Sequence, residues 1–185
     1  MHYFAYGSNL NFDHLRDYVT SHGVDTDGLG AHEVAILEDH QLRSNYVSCT
    51  HGAAACNVEL AEGSMVEGVV IQISPAVRDV IRAKEGWPDR YQEVVVEVLN
   101  RDRRQPLRAI TYIVNPDHRL DVDMPVTPRY RRLVLEGAKA AGLSKFYQEQ
   151  LARLLRATEA SVKDFAGGSR TGSRQMSPSS LASPE

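Results

Sequence analysis

The chain has 185 residues, a net charge of −3 and 42% hydrophobic residues, which suits one folded core and argues against a nucleic-acid binder with its basic face. No apolar run reaches the length of a membrane span, and MHYFAYGSN lacks the basic start and long apolar stretch of a secretion signal. The expectation is a cytoplasmic protein with reduced thiols and no membrane or nucleic-acid partner.

Two cysteines, Cys49 and Cys56, are too few for a disulfide framework. The histidines (His2, His14, His22, His32, His40, His51 and His118) are scattered and form no metal-ligand spacing. No metal is expected.

In chain order, residues 2–6 read as a first strand, broken by Gly7-Ser8-Asn9. A helix is predicted over 12–21 with Asn11 as N-cap. Strands follow over 32–37, 41–47, 53–60 and 65–73. The helix at 75–85 is well marked: Ser74 can cap it, Pro75 suits its first position and Gly86 its C-terminal stop. Val77, Val80, Ile81 and Lys84 share one face, of which the first three are apolar. Strands at 91–99 and 108–114 come next. Glu93 and Glu97 fall at even spacing on the first of them, so that face is expected to meet water. Helices at 129–141 and 144–157, separated by Gly142, close a domain of residues 1–165. Residues 166–185 are rich in Gly, Ser and Pro and read as a flexible tail. Strands without regular βα alternation indicate an α+β fold with a mainly antiparallel, curved sheet.

Three groups of residues suggest chemistry. Glu85 ends the 75–85 helix, where the dipole disfavours a carboxylate. It is either a solvent-facing residue at a frayed end or a carboxyl with raised pKa suited to general acid/base work. Gly7-Ser8-Asn9 is either a capped strand-to-helix connection or a nest of backbone donors for a small anion. It matches neither a nucleophile elbow nor a P-loop. Tyr91 and Tyr130 either project hydroxyls into a cleft or are core rings with their tips at the rim. Trp87 and Pro88 are a lid over Glu85 or an anchor for their loop.

Together, YFAYGSNL, AACNVELAEGSMVEGVVIQIS, EGWPDRY and PRYRRLVLEGAKAAGLSKFYQEQL resemble the γ-glutamylcyclotransferase (AIG2-like) family, over nearly all of residues 3–155. The resemblance implies a small mixed, mainly antiparallel barrel-like sheet around a central cavity, with flanking helices. It also implies a cofactor-independent reaction, in which the α-amine of a γ-glutamyl amide attacks its own γ-carbonyl and 5-oxoproline forms. By motif, Glu85 corresponds to the catalytic acid/base. Tyr6, Gly7, Ser8, Asn9 and Leu10 correspond to the loop that binds the glutamyl end, and Tyr91 and Tyr130 to cavity tyrosines that contact substrate. The expected partner is a small γ-glutamyl molecule, and the expected state a monomer or homodimer.

The chain departs from the family pattern at Trp87-Pro88 and at Arg43-Ser44, changes expected on the leaving-group side. Its Gly-Ser-Asn-Leu differs from the Gly-Ser-Leu of the glutathione-specific branch. Other readings are removal of a γ-glutamyl protecting group in natural-product assembly, and a non-catalytic binding module on the same fold. An amidohydrolase would need an activated nucleophile or a metal, and neither is evident in the sequence.

Overall fold

Five strands close into a barrel in the order β1-β3-β2-β4-β5. In the computed structural model, which describes residues 1–48 and 53–165, these are β1 (His2–Ala5), β2 (Leu29–Ser48), β3 (Ala53–Ile73), β4 (Tyr91–Asn100) and β5 (Pro106–Val114). Neighbours are antiparallel except at the closing seam, where β1 runs parallel to β5 with Tyr3 opposite Ile110. The helices are α1 (Phe12–Ser21), α2 (Pro75–Glu85), α3 (Pro128–Ala140) and α4 (Lys145–Phe165). The sequence-based fold class is therefore correct. Among the described residues no helix is long and apolar enough to cross a membrane. The tail expected over 166–185 lies outside the described residues.

The expected strands at 32–37 and 41–47 are one strand, as are those at 53–60 and 65–73. The register breaks between Glu38 and His40, where Asp39 takes φ 54°. Opposite it Gly63 takes φ 75°, and its N–H donates to Asp39 Oδ1 at 2.9 Å. A polar residue and a glycine in the left-handed region mimic strand ends in sequence while the ladder continues beyond them. Past this bend the hairpin's far half packs against the end of β5, where the Val114 N–H donates to Asn57 Oδ1 at 3.0 Å.

The core lies between the barrel and the helices. Phe4, Val66, Ile71 and Val98 are buried on the strands, with Phe4 and Ile71 on opposite faces of the sheet. Leu15, Val77, Ile81, Val134 and Leu151 face them from the helices. Each such side chain contributes about 1.5–3 kcal/mol by leaving water. The helix signals read from sequence hold. Asn11 Oδ1 accepts from the His14 N–H, Ser74 Oγ from the Val77 N–H, and Gly86 ends α2 at φ 67°.

Arg43 and Ser44 have a structural task away from any cavity. Arg43 Nε donates to Asp123 Oδ1 at 2.9 Å, and the Ser44 N–H donates to the same oxygen at 2.8 Å. The Met124 N–H donates to the Ser44 carbonyl, and the Ala54 N–H to the Pro125 carbonyl. These bonds strap the segment after β5 to the hairpin and so deliver the start of α3.

Glu93 corrects a second expectation. Its side chain is only 9% exposed, because Arg78 and Arg82 of α2 lie across it. Both donate from Nε and Nη2, and the Tyr112 hydroxyl adds a bond at 2.8 Å. Burial pushes this carboxyl up, but the two guanidiniums and the hydroxyl outweigh it and hold it at about 2. A depressed carboxyl contributes stability above its unfolded-state pKa, and that contribution is lost as pH falls toward 2. Glu93→Gln should lower stability at pH 7 by about 2 kcal/mol in urea unfolding. The gap to wild type should shrink between about pH 4.5 and pH 2; an equal gap at pH 3 and pH 7 would count against the ion cluster.

Candidate active site

Where β1 and α2 end and β4 and α3 begin, the elements enclose a cavity of about 450 Å³. Seven of the chain's eight tyrosines line it: Tyr3, Tyr6, Tyr18, Tyr46, Tyr91, Tyr112 and Tyr130. Its wall is thus apolar rings with hydroxyl tips, a surface that fixes the orientation of a small polar ligand.

Glu85 lies on this cavity, held by the opening turn. Asn9 Nδ2 donates to Glu85 Oε1 at 3.0 Å and to the Tyr3 hydroxyl at 2.8 Å. Lys84 Nζ donates to Asn9 Oδ1. Asn9 is itself buried, so its amide has one orientation and joins β1, the turn and α2. Capping of α1 falls to Asn11 instead, which leaves Asn9 available for this bridge. Burial raises the Glu85 carboxyl, while the Lys84 charge and the Asn9 bond oppose the rise. The direction matches the sequence expectation but the cause is desolvation, not the helix dipole. Burial likewise lowers Lys84, against the Glu85 charge.

Tyr91 and Tyr130 converge on the backbone of one residue, Cys56. The Cys56 N–H donates to Tyr130 Oη at 2.9 Å, and the Tyr91 hydroxyl donates to the Cys56 carbonyl at 3.4 Å. The Tyr6 hydroxyl donates to the Tyr112 carbonyl at 2.5 Å. Burial raises all four hydroxyls of Tyr3, Tyr6, Tyr91 and Tyr130, so they remain protonated at neutral pH. Burial also pushes the Cys56 thiol up to about 12, so it is no thiolate nucleophile.

Tyr6, Gly7, Ser8, Asn9, Glu85, Tyr91 and Tyr130 therefore gather on one cavity. Leu10 does not: it is buried in the core, and its N–H donates back to the Gly7 carbonyl at 3.0 Å. Gly7 has φ −111°, so it is needed for space and not for a positive φ. A Cβ there would sit 3.1 Å from the Tyr130 hydroxyl. Trp87 is no lid. It lies outside the cavity lining, with the Arg82 guanidinium 4.2 Å from its ring centroid. Arg43, Ser44, Trp87 and Pro88 are all absent from that lining.

Sequence reasoning missed Lys84, Tyr3, Tyr46 and Tyr112. The signal for Lys84 was present: a lysine on the apolar face of α2, in line with Val77, Val80 and Ile81. The contacts of Asn9 carried no such signal, since Glu85 is 76 residues away. Among the described residues no three His, Cys, Asp or Glu side chains group to hold a metal.

The closed five-strand barrel with its flanking helices is similar to solved structures of the γ-glutamyl cyclotransferase fold. A solved structure named gamma-glutamyl cyclotransferase is 24% identical over 82% of this chain and 86% of its own, with a TM-score of 0.69. An uncharacterised human protein is 26% identical over 82% and 85%, at 0.68. A yeast γ-glutamyl cyclotransferase specific to glutathione is 13% identical over 86% and 96%, at 0.62. No curated protein matches the chain. The model of the AIG2-like family matches residues 65–151, from the middle of β3 into α4. The chain is thus similar to the AIG2-like family in sequence over that stretch and to γ-glutamyl cyclotransferases in fold.

The turn that carries Asn9 is held from behind by α3. A Cβ at Gly137 would stand 2.4 Å from the Asn11 nitrogen and 2.5 Å from the Leu10 carbonyl carbon. Gly137→Ala should therefore cost about 1–3 kcal/mol, read as a fall in Tm of about 2–4 °C per kcal/mol. An unchanged Tm would show that α3 yields without strain.

Proposed function

We propose that the protein is a γ-glutamyl cyclotransferase that converts a γ-glutamyl amide to 5-oxoproline and a free amine, with Glu85 as general acid/base. The observation that carries this reading is the Glu85 carboxyl inside the cavity, fixed by Asn9. The family match and the shared fold support it.

The chemistry follows from the groups present. Bound as a folded chain, the substrate brings its α-nitrogen to its γ-carbonyl carbon, which supplies the proximity term. The Lys84 ammonium faces the α-carboxylate. Glu85 takes a proton from the α-ammonium, the freed nitrogen attacks, and the new C–N bond closes a five-membered lactam. The amide C–N bond then breaks. Two protons leave the attacking nitrogen and two reach the departing one, with Glu85 as relay, so no co-reactant is consumed. The nucleophile belongs to the substrate, which fits a site whose cysteine stays protonated. Backbone donors of Gly7, Ser8 and Asn9 and the tyrosine hydroxyls are suited to a developing oxyanion.

The direct test is 5-oxoproline release from γ-glutamyl-alanine. Glu85→Gln and Glu85→Ala should each lose about 10²-fold or more in kcat with an unchanged far-UV spectrum; near-wild-type turnover by Glu85→Gln would sink the mechanism. The pH profile adds a second test. Glu85 must be ionised in the free enzyme, so kcat/KM falls as pH drops through its raised pKa. Lys84 opposes that rise. Lys84→Met should shift the acid limb of kcat/KM to higher pH, and a limb that stays in place would show that the ammonium does not act on Glu85.

A further inference from the structure

We propose that Tyr18 of α1 is a positioning residue: its aromatic ring holds the Lys84 ammonium at the glutamyl end of the cavity. This rests on the cyclotransferase reading, in which Lys84 meets the α-carboxylate of the substrate, and deepens it by naming what keeps that cation in place.

The sequence of α1 builds two faces. Leu15 and Val19 share one and are buried in the core. His14 and Tyr18 share the next and line the cavity. The Tyr18 ring is packed by its own helix: it stacks on His22 with ring centroids 4.2 Å apart, and His22 Nδ1 lies 2.8 Å from the Tyr18 carbonyl oxygen. From α2, Lys84 Nζ lies 4.8 Å from the Tyr18 ring centroid, within cation–π range, and also donates to Asn9 Oδ1. The ammonium is thus held by a ring from α1 and a carboxamide from the turn after β1.

Lysine is a point charge on a flexible stem, and burial disfavours its charged form. Glu85 opposes that effect with its own charge, but in the proposed reaction Glu85 takes up a proton and its charge disappears. Asn9 is neutral throughout. Burial and the Glu85 charge both raise the Tyr18 hydroxyl, so the ring also stays neutral. The hold of these two groups on Lys84 therefore does not lapse when Glu85 is protonated. Glu85 is the one carboxylate on the cavity wall, and His14, Arg90 and Arg129 are its other basic groups; like charges there only add to the need for a support of this kind.

The experiment follows the Cε NMR resonance of isotope-labelled Lys84 through a pH titration, with Lys84→Met to assign it. In Tyr18→Leu the midpoint should fall by about half a pH unit or more. In Tyr18→Phe, which keeps the ring, it should match wild type. With γ-glutamyl-alanine, KM should rise at least about 3-fold in Tyr18→Leu and return to the wild-type value in Tyr18→Phe. A variant that merely folds poorly would lower the apparent kcat and leave KM in place. Tyr18→Gln, read in the same way, replaces the leucine variant if that one does not fold. Equal midpoints in wild type and Tyr18→Leu overturn the inference, as does a phenylalanine variant that behaves like the leucine one, or a KM that stays put beside a moved midpoint. Each of these leaves the cyclotransferase reading standing. Absence of 5-oxoproline with wild type overturns that reading and the positioning role with it, while the titration still reads the contact between ring and ammonium.

Discussion

The carboxamide of Asn9 joins parts of the molecule that are distant in sequence. It donates to Glu85 and to Tyr3 and accepts from Lys84. A carboxyl and an ammonium cannot both be drawn from water into a tyrosine-walled cavity without compensating bonds. Asn9 supplies one to each with a neutral group. The rest of the site depends on this link, because it ties the turn after β1 to the end of α2 across 76 residues of chain. Gly137 of α3 presses the same turn from outside. Arg78 and Arg82, one turn apart on α2, clamp that helix to β4 through Glu93. The position of Glu85 is thus the outcome of three contacts, none of which it makes alone.

Much of this could be read from the chain. Caps, prolines and glycines are local signals, so Asn11, Ser74, Pro75, Gly86 and Gly142 mark helix ends correctly. Glu85 drew notice because its position contradicts a local electrostatic rule. The physical cause of its raised pKa, however, is burial by tyrosines from β1, β2, β4, β5 and α3, which no window of sequence displays. Glu93 was misread for the same reason. Its alternation with Glu97 is that of a wet face, and only the packing of α2 across the strand turns it into a buried anion. The bend at Asp39 and Gly63 reads in sequence as the ends of strands because it uses the residues that end strands. Lys84 is legible only in part, since a cation at a helix C-terminus already satisfies the dipole rule. Leu10 was carried along with its motif, although its apolar side chain belongs to the core.

The family relation and the site geometry are independent in one useful respect. The family match spans Glu85, Tyr91 and Tyr130 but stops short of the opening turn. The role of that turn rests on its own contacts.

Tyr91 and Tyr130 hold the backbone N–H and carbonyl of the same residue, Cys56, on the far half of the β2–β3 hairpin. That half is the ceiling of the cavity, and its height is set by the run of strand between the bend at Gly63 and Cys56. Because side chains alternate along a strand, adding two residues to each strand beyond the bend would preserve which groups face inward and displace the ceiling by about 6–7 Å. The fold therefore separates two properties: Glu85 and Asn9 are anchored on α2 and the turn after β1, while the extent of the cavity on the hairpin side follows the length of the strands beyond the bend.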